Sequence, residues 1–268
     1  MKFFDSHAHY YDDWFDEYEG GADALLEKLF SENVGAIVNV ATNPKNLALC
    51  IEQAKRFEGM YVTAGIHPED CPYLENVDVA LAEIESIVSD ARLLKENKIV
   101  AIGEIGFDYH VEGLNDEVKA LQRHCFEYQM ELAKKYGLPV VIHDREAHGD
   151  CFEMILKYPE VKGIFHSYSG SVEMARELTR RGWYISFSGV VTFKNASRVR
   201  EVASTVPIDR VLIETDAPYL SPDPLRGKMN HSGNIEYTLA TFADVLGITP
   251  DEAAILTSDN AKRIYELK

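Results

Sequence analysis

Eight short apolar runs, each followed by a longer amphipathic stretch, limit the folds open to this chain more than any other feature. The runs are FFDSHAH (3–9), GAIVNVAT (35–42), MYVTAGIH (60–67), IVAIGEIG (99–106), LPVVIH (138–143), KGIFHS (162–167), WYISFSG (183–189) and VLIETD (211–216). Their apolar character is continuous rather than alternating, the pattern of parallel strands covered by helices. Between them the period shifts to three and four residues. In DEVKALQRHCFEYQMELAKKYG (116–137), Val118, Leu121, Cys125, Tyr128 and Leu132 recur at helical spacing. Acids open that stretch, and Gly137 and Pro139 close it. Thr249, Pro250 and Glu252 have the spacing of a capping box at the start of a last helix. Eight such units predict an α/β chain forming a single (β/α)8 TIM barrel domain over residues 1–268. An open doubly wound sheet is the alternative, but the GxGxxG loop that would favour it is absent after the first run.

In such a barrel the chemistry sits at the C-terminal ends of the strands, and polar residues fall there. His7 and His9 close the first run, His67 the third, His143 the fifth, His166 the sixth and Asp216 the eighth, while Glu104 lies in the fourth. Strand alternation puts Asp5, His7 and His9 on one face. The other histidines, His110, His124, His148 and His231, fall in loops or helices and read as solvated or locally bonded. Buried polar groups need partners, and a divalent cation would serve. Imidazole with carboxylate suits zinc, manganese, iron or nickel; magnesium, which prefers oxygen, stays open. The six donors His7, His9, Glu104, His143, His166 and Asp216 exceed what one ion with an open position needs. Two divalent metal ions (Mg, Zn or Mn) sharing a carboxylate are therefore expected. Glu104, between Gly103 and Gly106, is the natural bridge.

Charge narrows the partners. Lysine plus arginine total 27 against 44 acids, a net charge of −17. This balance opposes general attraction to nucleic acid or anionic membranes, so any phosphate must be attracted locally, by a few cations or bound metal. The four cysteines, 50, 71, 125 and 151, form no CxxC pair and read as reduced thiols. No run has transmembrane length, and Asp5 interrupts the start where a secretory signal would be apolar, so a cytoplasmic location is expected.

The motifs together resemble the TatD family of metal-dependent hydrolases, a branch of the amidohydrolase-like barrels. DSHAH (5–9) resembles its opening D-x-H-x-H. GIHPE (65–69), GEIGFDY (103–109), PVVIHDREA (139–147), FHSYSG (165–170), ETDAPYLSP (214–222), RGK (226–228) and NAKRIY (260–265) resemble its later blocks in order. The resemblance implies that His7, His9, Glu104 and Asp216 hold one metal, and that Glu104, His143 and His166 hold a second. It also implies DNA phosphodiester hydrolysis, commonly described as magnesium-dependent deoxyribonuclease activity. Two blocks depart from the family pattern. Ser167 and Tyr168 stand where Cys and Phe are usual, and His231 and Ser232 stand where Glu and Pro are usual. The second departure is expected to alter the substrate rim.

Asp216 is expected to act both as ligand and as proton acceptor, with Glu104 as the other catalytic carboxylate. Arg226, Lys228 and Asn230, in the loop after the eighth run, would bind phosphate, with Arg226 forking onto it. His67 would contact the phosphate or a leaving oxygen, and Asp108 and Tyr109 would shape the pocket. Asp5 and Glu214, one step deeper on their strands, would orient histidines or pair with cations. DNA, single-stranded or with frayed ends, is the expected substrate, because a barrel mouth is too narrow for a duplex. Hydrolysis of a small ester, amide or phosphoester, or deacylation of aminoacyl-tRNA, is the alternative; a metal-dependent scaffold without catalysis is a third reading.

Overall fold

The computed structural model describes residues 2–267. Among these, eight strands alternate with helices: β1 (Phe3–Ala8), β2 (Val34–Val40), β3 (Met60–Ala64), β4 (Ile99–Asp108), β5 (Val140–Arg145), β6 (Gly163–Phe165), β7 (Tyr184–Phe187) and β8 (Val211–Ile213). They belong to one sheet in the order β1 to β8. This is the strand order of the (β/α)8 barrel.

The chain forms two compact units. One contains the described residues up to Asn39, Phe57–Met60, and those from His166 onward. Here β1 pairs in parallel with β2, and β7 with β8. The first and last strands are also joined just past the end of β8. Asp216 N donates to His7 O at 2.9 Å and His9 N to Ala217 O at 2.7 Å, with Ala8 and Ala217 forming a parallel bridge. Phe15, Leu25, Leu26, Trp183 and Phe242 are buried in this unit.

The other unit comprises Val40–Arg56 and Tyr61–Phe165. It holds the parallel series β3, β4, β5 and β6. Its longest helix, Asp116–Tyr136, starts at Asn115, whose side chain accepts from Val118 N, and stops at Gly137 in the left-handed region at φ 68°. Cys125 and Leu132 of the anticipated face are buried, but Val118, Leu121 and Tyr128 are only half-buried. The face turned to the strands also contains two fully buried glutamines, Gln122 and Gln129. Each does what a neighbouring strand would do. Gln129 accepts from Ile66 N at 2.7 Å and donates to Ile66 O at 3.1 Å. Gln122 accepts from Asp108 N at 3.1 Å and donates to Asp108 O at 3.0 Å. The backbone groups next to His67 and at Asp108 are thus satisfied where the ladder ends. In the first unit the last helix, Pro250–Ile264, opens with the capping box of Thr249 and Glu252.

Several strands stop short of the residues that the sequence suggested would close them. β3 ends at Ala64, β6 at Phe165 and β8 at Ile213, so His67, His166 and Asp216 lie on the loops that follow. His143 instead lies inside β5. The reason is geometric: a residue still in the ladder alternates faces, whereas a loop residue can turn its side chain inward out of phase. Asp216 (φ 58°) and Ser167 (φ 39°) both adopt left-handed backbone conformations. For residues other than glycine that arrangement costs on the order of 1–3 kcal/mol and recurs at functional sites. The glycines of GEIG serve the sheet rather than Glu104. Gly106 has φ 145°, and a Cβ there would lie 2.0 Å from the His143 carbonyl oxygen.

Candidate metal centre

In the first unit β1 delivers His7, the residue just past its end is His9, and the loop after β8 delivers Asp216. His7 Nε2 lies 3.1 Å from His9 Nε2, and Asp216 Oδ1 lies 3.6 Å and 3.3 Å from these two nitrogens. The histidines are 0 % and 6 % exposed, so water competes little for these atoms. Donors held 2.0–2.2 Å from one cation at tetrahedral or octahedral angles are about 2.8–3.6 Å apart, which is the spacing found. Burial acts to raise the Asp216 pKa. The hydrogen bond to His9 and the nearby imidazoles of His166, His7 and His9 outweigh it and hold the carboxyl below its ordinary value.

His166 stacks on His7 with ring centroids 4.1 Å apart. Its Nδ1 meets Glu214 Oε1 at 3.2 Å, and the same oxygen accepts from Ser167 N at 2.8 Å. Glu214 therefore fixes the ring through Nδ1 and turns Nε2 away from itself, the arrangement usual for a histidine that binds metal. Glu214 Oε2 is buried and has no hydrogen-bond partner among the described residues. His7, His166 and Glu214 have donor atoms within 4.8 Å of one another. A cluster of buried imidazoles and an orphaned carboxylate oxygen, with no lysine or arginine among them, fits a divalent cation.

The second unit carries Glu104 on β4 and His143 on β5. Glu104 Oε1 lies 2.7 Å from His143 Nδ1, and His143 Nε2 lies 3.0 Å from Asp108 Oδ2. In a neutral ring that donates from Nε2 to Asp108, the Nδ1 lone pair would face a carboxylate oxygen. A proton or a cation must resolve that repulsion. Burial tends to raise the Asp108 pKa, but the bond and charge of His143, the His110 backbone N–H and Arg145 lower it overall. Asp108 is thus a ring-positioning carboxylate, with Oδ1 accepting from His110 N at 2.7 Å.

His67 joins this cluster, with Nε2 3.5 Å from Glu104 Oε1. Its Nδ1 is taken by the Glu69 backbone N–H at 3.1 Å. The neutral ring must then carry its proton on Nε2, which makes His67 a donor toward the site rather than a ligand.

Other expected site residues are placed differently. Tyr109 turns its hydroxyl to Asp150 and lies under Lys119 Nζ, 4.7 Å from the ring centre. Arg226 and Lys228 are exposed, and the Arg226 guanidinium lies 4.3 Å over the Phe193 ring. Asn230 is buried, and its amide is engaged within the loop. Nδ2 donates to Thr215 O and Tyr219 O, and Oδ1 accepts from His231 N and Asn234 Nδ2. It holds the loop in shape and has no hydrogen-bonding group left to offer a phosphate.

Asp5 orients no imidazole. It is fully buried and accepts from Thr215 N at 3.0 Å, Thr215 Oγ1 at 2.5 Å, Ser232 Oγ at 2.6 Å and His7 N at 3.3 Å. Burial, partly opposed by these bonds, raises its pKa to about 6. Ser232 is not at a rim. It is buried between Asp5 and Tyr10, whose hydroxyl meets Ser232 Oγ at 2.8 Å. Sequence reasoning missed Tyr10, Thr215, Gln122 and Gln129, all of which support the donors from behind. Of the other histidines, His110 meets Glu146, His124 meets Asp78 and His148 meets Asp144, whereas His231 is neither solvated nor locally bonded: it is half-buried, and its Nδ1 has no hydrogen-bond partner among the described residues. The four cysteines are buried free thiols, and no helix among the described residues is long and apolar enough to cross a membrane.

The sequence profile of the family described as TatD related DNase matches residues 4–266. A Bacillus subtilis protein described as the uncharacterized metal-dependent hydrolase YabD is 35% identical, over 98% of this chain and 99% of its own length. A Mycobacterium tuberculosis protein described as the uncharacterized metal-dependent hydrolase TatD is 34% identical, over 91% of this chain and 90% of its own. Among solved structures, the TatD homologue YjjV from Escherichia coli superimposes with a TM-score of 0.87 at 27% identity, covering 99% of this chain and 98% of that one.

Proposed function

This chain belongs to the TatD family of metal-dependent hydrolases, and from that premise we propose that it hydrolyses phosphodiester bonds of DNA, as single strands or frayed ends, in the cytoplasm. The observation that supports the reading most is the buried trio of His7 Nε2, His9 Nε2 and Asp216 Oδ1, spaced as the donors of one cation are. In this reading the six donors named from the sequence would hold two divalent ions. Bound cations of this kind neutralise anionic phosphate oxygens and bring the pKa of water toward neutrality. The chain's own groups do the rest. Asp216, held ionised, accepts the proton that the attacking water loses. His67 presents an N–H at Nε2 to an anionic oxygen. Asp108 and Glu214 keep the rings of His143 and His166 from turning. Arg226, with one face of its guanidinium on Phe193, keeps its edge for a phosphate.

The test is incubation of end-labelled single-stranded DNA with protein loaded in turn with Mg, Mn, Zn, Co or Ni. Cleavage that chelation abolishes and one of these ions restores is expected; no cleavage with any of them refutes the proposal. His143→Ala should lose cleavage while keeping its far-ultraviolet circular dichroism. Glu104→Gln and His166→Ala should each bind less metal per chain than the wild type. A second reading, hydrolysis of a small ester or phosphoester, is favoured by the net charge of −17, which repels a long polyanion. Fast turnover of such a compound with negligible DNA cleavage would select it.

A further inference from the structure

Beside His9 the first unit carries three aromatic side chains, Tyr11, Trp14 and Tyr219, and the Tyr11 hydroxyl lies 3.4 Å from His9 Nδ1. Tyr11 lies edge-on to His9 with ring centroids 5.8 Å apart, and Tyr219 lies 6.1 Å from His9. Trp14 lies 6.3 Å from Tyr219. All three are held by their polar atoms, Tyr11 by His9 Nδ1 and the other two by carboxylates. The Tyr219 hydroxyl donates to Asp12, and Trp14 Nε1 donates to Glu17 Oε2 at 3.2 Å. Asp12 also caps the turn Asp13–Glu17 by accepting from Trp14 N at 2.9 Å. Tyr219 is 44% exposed, and Trp14 and Tyr11 are half-buried.

The charge of this patch selects what it can hold. Asp12 and Glu17 bond the rings, Asp13 and Asp16 lie in the same short stretch, and no lysine or arginine lies between residues 3 and 27. A phosphate would be repelled there, whereas an uncharged aromatic ring would not. Resting on the reading of the site as a phosphodiesterase, we infer that Tyr11, Trp14 and Tyr219 form a stacking subsite that takes a nucleobase of the strand whose phosphate meets the metal ligands. The subsite makes recognition base-dependent but tolerant of sequence, since every base has a π-face. The cations of the 226–228 loop, not this patch, then serve the backbone.

The structure provides its own reporter. The chain has two tryptophans; Trp183 is 2% exposed, so a stacking ligand reaches Trp14 alone. Metal-loaded protein is titrated with deoxyadenosine monophosphate and, separately, with deoxyribose 5-phosphate, which carries the same phosphate without the base. Binding is read by tryptophan fluorescence and by calorimetry. The nucleotide is expected to quench Trp14 and to bind about tenfold or more tighter than the sugar phosphate, the range that one stacked base provides. Trp14→Phe keeps a ring and should keep the affinity while losing the quench; Trp14→Leu should lose both and raise KM on single-stranded DNA more than it lowers kcat. Equal affinity for the two ligands, or an unchanged affinity in both Trp14→Leu and Tyr219→Leu, overturns the subsite. Failure of the nuclease reading looks different: DNA stays intact with every metal, whether or not the nucleotide quenches Trp14.

Discussion

Replacing Ser232 by alanine tests how the metal-binding end of β1 is held. Ser232 Oγ donates to Asp5 Oδ2 at 2.6 Å and accepts from the Tyr10 hydroxyl at 2.8 Å, while Tyr10 Oη accepts from Ser232 N at 2.9 Å. All three residues are buried, so no bulk water replaces a lost partner. A hydrogen bond to a charged acceptor contributes about 1.5–3 kcal/mol, and Ser232→Ala also strands the Tyr10 proton. A loss of about 2–3 kcal/mol is therefore expected for Ser232→Ala, and about 1–2 kcal/mol for Tyr10→Phe. Because both act on one chain of bonds, the double variant should fall short of the sum by about 1 kcal/mol. Urea unfolding at neutral pH measures this from the midpoint at unchanged m-value. In a thermal scan each kcal/mol corresponds to about 2–4 °C for a chain of this size. A Ser232→Ala loss below about 0.5 kcal/mol, or strict additivity with Tyr10→Phe, refutes the view that Asp5 is held through this chain.

Asp108→Asn should reduce turnover or metal affinity about 10–100-fold, because His143 loses the charged acceptor that fixes its ring; kinetics with metal titration check this. Gly106→Ala places a methyl group 2.0 Å from the His143 carbonyl at a φ of 145°, so a destabilisation above about 3 kcal/mol or loss of soluble protein is expected, measured by expression and unfolding. Glu85 accepts from Tyr128, Lys135 and Tyr136, and these bonds, that of Tyr128 foremost, lower its pKa to about 2. A lowered carboxyl pKa gives stability that is present above about pH 4.5 and lost as pH falls toward 2. At this solvent-facing position the effect stays within about 1 kcal/mol. Glu85→Gln should therefore unfold earlier than wild type at pH 7 and with it at pH 2.

The strand order was legible in the eight apolar runs, and the candidate donors stood out because six of those runs contain or lead into a residue that has no reason to be there. HxH after FFDS and the aspartate after VLIET could be found without coordinates. What hid the rest was distance along the chain. Asp5 meets Ser232 across 227 positions and Thr215 across 210, and periodicity carries no signal at that range. The glutamines were hidden in another way. At helical spacing Gln122 and Gln129 look like surface residues, and only the ends of β3 and β4 explain their burial. Asn230 and Ser232 sit in a motif that suggested a substrate rim, but side chains of their size close loops from within as readily as they bind ligands. The roles of His67 and Asp108 rest on which ring nitrogen is occupied, and no spacing encodes that.

The seam between β1 and residues 216–217 bears on how the protein is made. The strand with the paired histidines leaves the ribosome about 200 residues ahead of the ones that hydrogen-bond it. Bringing such distant segments together is entropically slow. During synthesis that strand waits with this edge unpaired until residues 216–217 follow.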